Sequence, residues 1–231
     1  MKLAVVIPTY NERENSLVLR LAIKSVLSEP ILLIFVDDSS PDGTANALKS
    51  LNDPHLILIS RAGKQGIGSA YQDGFQRALA EGADLIVQMD ADLSHDPSEL
   101  KAMFVAAQSS DLVIGSRYVK GGRVIGWGPW RHFCSRSAML FARAFLGLQA
   151  RDVTSGYRVW KASTLKTVLN GTIASSGYAF QEEMLFRAQQ ARANIVEVPI
   201  TFKDRERGNS KLGLRDVVEF FRVMIWLRKQ R

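Results

Sequence analysis

Short apolar segments alternate with amphipathic segments along the first half of the chain. Five apolar segments have the length and β-branched content of buried strands: Leu3–Ile7, Ile31–Val36, His55–Ile59, Asp84–Met89 and Asp111–Gly115. Helical periodicity lies between them, over Ser16–Leu27, Thr44–Leu51, Ser69–Glu81 and Ser98–Gln108. Because strands that alternate with helices form parallel sheets covered on both faces, this pattern predicts an α/β fold.

The pattern changes after Arg117. Several glycines and Pro129 predict a long loop there, since these residues interrupt regular structure. Two helices and a strand are predicted further on, at Arg131–Leu148, Phe180–Gln190 and Asn194–Ile200. No internal repeat or low-complexity linker divides the chain, so residues 1–211 are interpreted as a single domain.

Residues 212–231 are interpreted as a C-terminal helix. The segment Leu214–Lys229 is amphipathic, and its apolar arc is wider than a surface helix of a compact domain needs. A wide apolar face with Trp226 and terminal bases suits a helix that lies in a membrane interface. Docking on the domain core or on another subunit explains the same pattern equally well.

Composition narrows the class of protein. The 231 residues are 46% hydrophobic and 23% charged, as in ordinary globular domains. The single cysteine, Cys134, excludes an internal disulfide and is expected to pack. No apolar run approaches the roughly 18 residues of a membrane-spanning helix, and the N-terminal apolar run is too short for a secretion signal. We therefore expect a cytoplasmic location.

The net charge of +7 is concentrated in one segment. Nine Lys and Arg residues lie from Arg117 to Lys161, where the sequence has one acid, Asp152. A local basic field of this kind attracts an anionic partner, whether a nucleic acid, an anionic lipid or a phosphorylated substrate.

Acidic residues follow three of the predicted strands. The strings at these strand ends are Pro8-Thr9-Tyr10-Asn11-Glu12, Asp37-Asp38-Ser39-Ser40-Pro41-Asp42-Gly43 and Asp90-Ala91-Asp92. Ligands of open parallel sheets bind beyond the carboxyl ends of the strands. Two carboxylates spaced like Asp90 and Asp92 can turn toward one divalent ion, and Mg²⁺ typically uses one or two carboxylates together with substrate phosphates. The sequence therefore predicts a metal site at which a diphosphate leaving group is neutralised.

Other catalytic signatures do not fit. Gly63–Gly68 lacks the spacing of a nucleotide-binding P-loop, and the three histidines lack the spacing of zinc ligands. A polar loop over Phe202–Lys211 carries Arg205 and Lys211, which are suited to close over a diphosphate. From charge alone, a solvated surface loop is the preferred interpretation of that segment.

Taken together, these strings resemble the family-2 glycosyltransferases, and within them the dolichol- or polyprenol-phosphate mannose synthases. The resemblance continues in chain order through Met89–Pro97, Gly115–Tyr118, Thr154–Arg158 and Asp204–Lys211. It spans nearly the whole chain. The Ser-Pro-Asp-Gly-Thr string and the basic Gly/Trp loop after Arg117 are more specific to the polyprenyl-phosphate branch.

The resemblance implies a GT-A fold, a Rossmann-like and mostly parallel sheet with helices on both faces. It also implies GDP-mannose as donor, a Mg²⁺ or Mn²⁺ ion, and roles for individual residues. The donor is expected at Pro8, Tyr10, Glu12, Val36, Asp38, Asp90, Ala91, Asp92, Arg205 and Lys211. The acceptor phosphate is expected at Arg117, Arg131 and Ser135, the metal at Asp90 and Asp92, and the catalytic role at Asp92, Arg117 and Arg131.

The implied reaction transfers mannose to a polyprenyl (dolichyl-type) monophosphate with inversion. A lipid phosphate is already an anionic nucleophile, so we expect no essential general base, and neither Glu182 nor Glu183 should matter as much as Asp92. A lipid acceptor also implies peripheral contact with the cytoplasmic face of a membrane, or a small membrane partner. One alternative keeps the fold and acceptor but uses a UDP-sugar carrying glucose or an aminosugar. The other is a non-catalytic, basic nucleotide- or nucleic-acid-binding protein, although the acidic strand ends would repel a polyanion.

Overall fold

The structure is a computed structural model that describes residues 1–27, 30–204 and 214–230, without the side chains of residues 214–217. Its strands are β1 (Leu3–Thr9), β2 (Ile31–Asp37), β3 (Leu56–Ser60), β4 (Leu85–Gln88), β5 (Leu112–Ser116), β6 (Arg123–Ile125), β7 (Arg158–Lys161), β8 (Ile195–Pro199) and β9 (Thr201–Lys203). Its helices are α1 (Arg13–Val26), α2 (Thr44–Lys49), α3 (Ile67–Ala80), α4 (Leu100–Ala107), α5 (Pro129–Leu146), α6 (Ala162–Val168), α7 (Phe180–Gln190) and α8 (Leu214–Lys229).

One seven-stranded sheet organises the chain, in the order β3-β2-β1-β4-β7-β5-β8. Neighbouring strands are parallel except at β7, which runs antiparallel to both β4 and β5. The central strands are buried on both faces, and alternate side chains along β1 and β2 enter two separate core clusters. This arrangement confirms the predicted α/β fold with a mostly parallel sheet.

Strand β7 was not predicted, and its residues explain why. It is four residues long and begins with Arg158, a charged residue that is rarely buried in a strand. Here the fully buried guanidinium of Arg158 donates hydrogen bonds to the carbonyl oxygens of Val153, Ser155 and Gln181, at 2.9–3.0 Å. Because backbone carbonyls satisfy the charged group, the strand tolerates a residue that periodicity alone would exclude.

The glycine-rich segment after Arg117 is not wholly a loop. Its residues Arg123–Ile125 form β6, which pairs in parallel with β9. Both strands are three residues long, too short for an alternating pattern to be recognised in the sequence. Pairing of β6 with β9 holds the basic segment next to the residues that follow β8. Helix α6 also lies outside the predicted elements.

Helix α8 packs against α5 and α7 with part of its surface. Val223, Met224 and Leu227 are buried in the core, whereas Phe221 and Ile225 are exposed. The predicted boundary at residues 211 and 212 lies outside the described residues, so the division of the chain at that point stays a prediction. None of the helices in the described ranges combines the length and apolar character needed to cross a bilayer.

Candidate functional site

The topology brings the predicted site residues to one edge of the sheet. Strands β1, β2, β4 and β5 end there, and the antiparallel β7 begins there. The register places Pro8 beside Val36, and Gln88 beside Arg158. The acidic strings and the basic segment therefore meet along a single edge, as parallel strand ends require.

The ends of β1 and β2 are locked together by short polar side chains. Thr9 donates its hydroxyl to Asp37 Oδ1 at 3.0 Å, and the backbone N–H of Asp38 donates to the carbonyl of Thr9 at 3.1 Å. Asp37 also accepts the hydroxyl and the backbone N–H of Ser40 at 2.6 and 2.9 Å. Asp37 thus fixes the turn that presents Asp38.

Asp38 has a cationic partner that the sequence interpretation missed. Nη1 of Arg61 lies 3.1 Å from Asp38 Oδ1, and both side chains are buried. Burial raises the pKa of Asp38, while Arg61 acts in the opposite direction. The guanidinium of Arg61 also donates to Ser69 at 2.5 Å and lies 3.3 Å from a carboxylate oxygen of Asp73. The sequence position of Arg61 could have indicated its place in the site, because Arg61 directly follows β3, another strand that ends at this edge.

Tyr10 and Glu12 line the turn between β1 and α1. The ammonium group of Lys64 lies 4.9 Å from the centre of the Tyr10 ring, a cation–π arrangement. Glu12 accepts a hydrogen bond from the Asn15 amide at 2.7 Å, and its backbone N–H donates to the Thr44 hydroxyl at 3.2 Å. The predicted donor residues of β1 and β2 are therefore neighbours in a preformed, hydrogen-bonded surface.

Asp90 is held from two directions by residues outside the predicted set. The Tyr71 hydroxyl donates to Asp90 Oδ1 at 2.6 Å, and the backbone N–H of Asp90 donates to His95 Nδ1 at 3.1 Å. Tyr71 is buried and stacks against Phe75 and Phe180. Burial and the nearby Asp90 carboxylate hold the pKa of Tyr71 well above its ordinary value, so the hydroxyl keeps the proton that it donates.

The loop from Asp90 to His95 has a defined backbone shape. Asp92 Oδ1 accepts the backbone N–H of Ser94 at 3.1 Å, and Leu93 takes a left-handed conformation with φ of 63°. The buried His95 ring stacks on Tyr157 with centroids 4.8 Å apart. Burial lowers the pKa of His95, which favours the neutral ring that accepts the Asp90 N–H.

The donor set of this loop fits a hard divalent cation. In the part of the chain that the structure describes, no three His, Cys, Asp or Glu side chains are grouped to hold a metal ion by themselves. Mg²⁺ commonly takes only one or two carboxylates and completes its shell with water and phosphate oxygens. Asp90 and Asp92 supply two carboxylates of the required chemistry, so the site fits an ion shared with a diphosphate.

Arg117 is not an isolated cation. Its Nε and Nη2 donate to the two oxygens of Asp152 at 2.8 and 2.7 Å, and its backbone N–H donates to the same carboxylate at 2.9 Å. Nη2 also donates to the Thr154 hydroxyl at 2.6 Å. The pair is buried, so the guanidinium is rigidly oriented and its charge is balanced by Asp152. The sequence interpretation counted Asp152 only as a charge, although it was the one acid in the basic segment.

Arg131 lies beside the same cluster on the first turn of α5. Its Cζ is 4.5 Å from the Trp127 ring, and its Nη1 is 2.5 Å from Asp204 Oδ2. The Trp127 ring is also 5.7 Å from the Arg117 guanidinium and 5.5 Å from the Phe202 ring. Trp127 therefore stands between the two arginines predicted to hold the acceptor.

Ser135 lies one helical turn beyond Arg131, and its hydroxyl is 3.5 Å from that of Tyr118. Arg117, Arg131 and Ser135 thus belong to one neighbourhood, which is separate from the Asp90–Asp92 loop but connected to it. The connection is aromatic, since Phe202 contacts Trp127 on one side and His95 on the other, with centroids 5.5 and 6.0 Å apart.

Two predicted donor residues, Arg205 and Lys211, lie outside the described residues. The expectation for Cys134 is wrong, because this residue is exposed on α5. Its helix presents Cys134 on the same exposed surface as Phe133, where no core is available for it.

Glu182 and Glu183, at the start of α7, are both buried. Glu183 accepts hydrogen bonds from the backbone N–H groups of Ala174 and Ser175 and from Arg187, at 2.8–3.1 Å, so it organises the preceding loop. Burial raises the pKa of Glu182 to about 7, although the neighbouring Arg158 favours its charged form. Both carboxylates lie on α7 and not in the acidic strings that follow the strands.

Comparisons with known proteins give consistent relatives. Residues 4–169 match the profile of the family described as glycosyl transferase family 2. The undecaprenyl-phosphate mannosyltransferase of Micrococcus luteus is 43% identical over 215 residues, which cover 92% of this chain and 88% of that protein. The polyprenol monophosphomannose synthase of Mycolicibacterium smegmatis is 40% identical over 228 residues, which cover 96% of this chain and 85% of that protein.

The fold also resembles solved structures. Glucosyl-3-phosphoglycerate synthase from Mycobacterium tuberculosis, in complex with Mn²⁺, UDP-glucose and phosphoglyceric acid, superposes with a TM-score of 0.67 at 18% identity. The match covers 99% of this chain and 79% of that chain. The family profile and the fold together define a glycosyltransferase of the GT-A class.

The chain belongs to glycosyl transferase family 2, since the profile covers more than half of it and both relatives align over most of it. The recognised family, the GT-A fold and the assignment as an enzyme are thereby confirmed. Membership in a family of enzymes argues against the alternative of a non-catalytic nucleotide- or nucleic-acid-binding protein.

Proposed function

We propose that this glycosyltransferase transfers mannose from GDP-mannose to a polyprenyl (dolichyl-type) monophosphate, giving polyprenyl phosphate mannose and GDP. The observation that carries the proposal is the division of charge along the sheet edge. Asp37 ends β2 and Asp90 follows β4, whereas Arg117 follows β5 and Arg131 lies in the first turn of α5. A donor that leaves as a metal-bound diphosphate and an acceptor that is itself an anion need these two surfaces side by side. The names of the two relatives support mannose and a lipid phosphate.

In this proposal the donor lies over the ends of β1, β2 and β4. Pro8, Tyr10, Glu12, Val36 and Asp38 hold the base and ribose, and Arg61 keeps the Asp38 carboxylate in place. The diphosphate meets the Asp90–Ala91–Asp92 loop, with Arg205 and Lys211 assigned to it by sequence resemblance.

Asp90 and Asp92 would hold Mg²⁺ or Mn²⁺. When bound there, the ion offsets the negative charge that develops on the departing diphosphate. The protein's own contribution is to keep the two carboxylates in position, through Tyr71, His95 and the turn at Leu93. Asp92 is the stronger candidate ligand by its position in the family resemblance, since each of the two carboxylates already accepts one hydrogen bond within the protein.

The acceptor phosphate is assigned to Arg117, Arg131 and Ser135. Its oxygen attacks the anomeric carbon opposite the departing diphosphate, which forms the new C–O bond, breaks the old one and inverts the configuration. No proton has to be removed from a phosphate nucleophile, so the reaction needs orientation and charge stabilisation rather than a base. Glu183 accepts hydrogen bonds from the loop before α7, and this structural role agrees with a mechanism that uses no base.

We place the enzyme on the cytoplasmic face of a membrane, in peripheral contact with it. The lipid acceptor supports membrane contact, and the single cysteine is compatible with a reducing compartment. Helix α8 and a small membrane partner are the two routes that the sequence suggests.

The decisive experiment presents purified protein with Mn²⁺, a short polyprenyl phosphate and one donor at a time. GDP-mannose, UDP-glucose and UDP-N-acetylglucosamine are compared, and glycosylated lipid is detected by mass. We expect product from GDP-mannose alone, and about 10²–10³-fold less of it from an Asp92→Asn control. Product from a UDP-sugar alone would replace the donor while keeping the fold and acceptor. No product from any donor, with a membrane fraction added, would overturn the assigned acceptor.

A further inference from the structure

A large apolar surface is exposed on α5 and α8. Seven of the fourteen large apolar side chains exposed in the described part of the chain lie on these two helices. Isolated exposed apolar residues are normal, but a contiguous group marks an interaction surface. We call this surface the α5–α8 face; it comprises Trp130, Phe133, Leu140, Phe141, Val218, Phe221 and Ile225.

The residues of this face form two aromatic contact clusters along one helical stripe. Along α5, Trp130, Phe133, Leu140 and Phe141 follow the spacing of one helical stripe. Trp130 stacks on Phe133 with ring centroids 5.7 Å apart. Phe141 meets Phe221 of α8 in an edge-to-face contact at 5.5 Å, so the stripe continues across the helix pair.

The two most exposed aromatic residues of this face lie in the first two turns of α5. Trp130 is 75% exposed and Phe133 is 62% exposed, although both are large aromatic residues. The same two turns carry Arg131 and Ser135, the residues assigned to the acceptor phosphate. A surface that delivers a lipid phosphate to these residues must therefore approach this end of α5.

The charged side chains around the α5–α8 face are mainly basic, which favours binding to an anionic surface. Helix α5 contains three arginines and no acidic residue. On α8, Arg222, Arg228 and Lys229 are exposed, whereas Glu219 faces the protein and accepts backbone N–H groups of Ser176 and Gly177 at 2.8–2.9 Å. Aromatic side chains in a ring of bases are typical of contact with the headgroup region of a bilayer that contains anionic lipid.

We propose that the α5–α8 face docks on an anionic lipid bilayer, with Trp130 and Phe133 inserted at headgroup depth beside the acceptor-phosphate site. The proposal rests on the lipid acceptor of the proposed function. Docking by this turn places Arg131 and Ser135 at the level where a polyprenyl phosphate presents its headgroup. Membrane binding and acceptor capture then use the same two turns of α5, and α8 extends the contact.

The test is flotation of the full chain with vesicles of phosphatidylcholine alone or mixed with phosphatidylglycerol. The parent protein should bind the mixed vesicles and be released by high salt. Trp130→Ala combined with Phe133→Ala should lower the partition coefficient at least fivefold. The matched control combines Leu21→Ala with Val105→Ala, which are 62% and 67% exposed on other helices, and it should stay within twofold of the parent. Circular dichroism verifies that all variants fold.

Activity separates docking from acceptor recognition. With farnesyl phosphate dispersed in detergent-free buffer, the rate of the Trp130–Phe133 variant should be within twofold of the rate of the parent. With a long polyprenyl phosphate in mixed vesicles, its rate should fall at least fivefold. An equal loss with farnesyl phosphate would overturn the proposal, because the two aromatics would then belong to the acceptor site itself.

Three further results would also overturn it: no vesicle binding by the parent, equal binding by the variant, or a dimer of the parent that the substitutions dissociate. The last result would identify a second copy of the chain as the occupant. Vesicle binding that depends on Trp130 and Phe133, without glycosyl transfer from any donor, would instead retain the docking surface and reject the proposed function.

Discussion

The two halves of the sheet edge are held in place by different interactions. The proposed donor half, at the ends of β1, β2 and β4, is fixed mainly by hydrogen bonds, as at Asp37 and Asp90, together with one buried ion pair between Asp38 and Arg61. The acceptor half, after β5 and at the start of α5, is fixed by ion pairs and aromatic rings around Arg117 and Arg131.

This difference follows from where each half lies in the fold. Residues that directly follow a buried parallel strand inherit its position from the hydrogen-bonded ladder. Arg117 also follows a buried strand, but Trp127 and Arg131 lie beyond β6 on the segment that leads to α5, so side chains must supply the order there. We therefore expect donor-half substitutions to affect the reaction itself, and acceptor-half substitutions to affect mainly the recognition of the lipid phosphate.

The largest effect is expected from Asp92→Asn, which keeps the shape of the side chain and removes its charge. Loss of this electrostatic contribution should lower kcat by about 10²–10³-fold, the range seen when one charge-stabilising group is removed. Glu182→Gln should leave kcat within about threefold, because no base is required. Initial rates with GDP-mannose and a short polyprenyl phosphate provide the measurement. A greater loss in Glu182→Gln or Glu183→Gln, normalised to folded protein, would show that a base is needed.

The second effect concerns the stability of the folded protein and comes from the buried Glu182. Burial raises the pKa of Glu182 from 4.5 in the unfolded chain to about 7 in the fold. A raised pKa means that the folded state binds the proton more tightly, so this contribution is complete below pH 4.5 and is lost as pH rises through 7. Glu182→Gln should therefore be more stable than the parent at pH 8, by at most about 3 kcal/mol, and similar at pH 4.5.

Urea denaturation of both proteins at pH 4.5, 6 and 8 measures this difference. Glu14→Gln, at an exposed position on α1, provides the matched control for the removal of one carboxylate. Parallel profiles for Glu182→Gln and the parent would show that the carboxyl is charged at neutral pH in the fold, and that Arg158 compensates its burial.

The sequence predicted the donor half better than the acceptor half. Strands β1, β2 and β4 are short β-branched runs, and the edge rule for parallel sheets brings their terminal acids together. The prediction included these acidic residues but not their hydrogen-bond partners. Tyr71 on α3 reaches Asp90 from a helix, and its role depends on a tertiary contact for which the local sequence provides no signal.

The acceptor half depends on pairings distant in sequence. Arg117 and Asp152 are 35 positions apart, and Arg131 and Asp204 are 73 apart. Charge counting correctly located a basic segment, but it could not show that Asp152 balances Arg117 or that Arg158 is buried. The short strands β6 and β9, which bring Phe202 beside Trp127, are below the length at which periodicity is informative.

A smaller effect is expected from Tyr71→Phe, which removes one hydroxyl from the donor half. Loss of the hydrogen bond to Asp90 should raise the half-saturating Mn²⁺ concentration and the KM for GDP-mannose about tenfold, the lower end of the effect of losing a partner of a metal ligand. The KM for the lipid acceptor should stay within twofold. Calorimetric binding of GDP with Mn²⁺ gives a readout that does not depend on turnover.

Tyr157→Phe is the matched control for that substitution. Tyr157 is also buried, but its hydroxyl donates to the backbone carbonyl of Asp96 at 3.0 Å rather than to Asp90. If both variants weaken Mn²⁺ and GDP binding equally, loss of a buried hydroxyl is sufficient to explain the effect. Tyr71 would then have no specific role in positioning Asp90.

The smallest effect, and the sharpest test of the comparison, comes from Trp127→Leu. The Trp127 ring contacts the guanidinium groups of Arg117 and Arg131, and cation–π contacts at accessible sites are each worth about 0.5–1 kcal/mol. A loss of orientation equivalent to one such contact should raise the KM for the acceptor about two- to fivefold, while the KM for GDP-mannose stays unchanged. Trp226→Leu is the control, because Trp226 contacts Arg187 at 5.9 Å, away from the sheet edge.

The contacts of Phe202 determine how far the two halves can be treated as independent. Phe202 touches both Trp127 and His95, and His95 accepts the backbone N–H of Asp90. If the halves are independent, the effects of Trp127→Leu and His95→Asn on kcat/KM should multiply when the two substitutions are combined. A combined effect clearly smaller than the product would show that the aromatic contacts couple acceptor recognition to the donor loop, and the division drawn from the hydrogen-bond pattern would fail at that point.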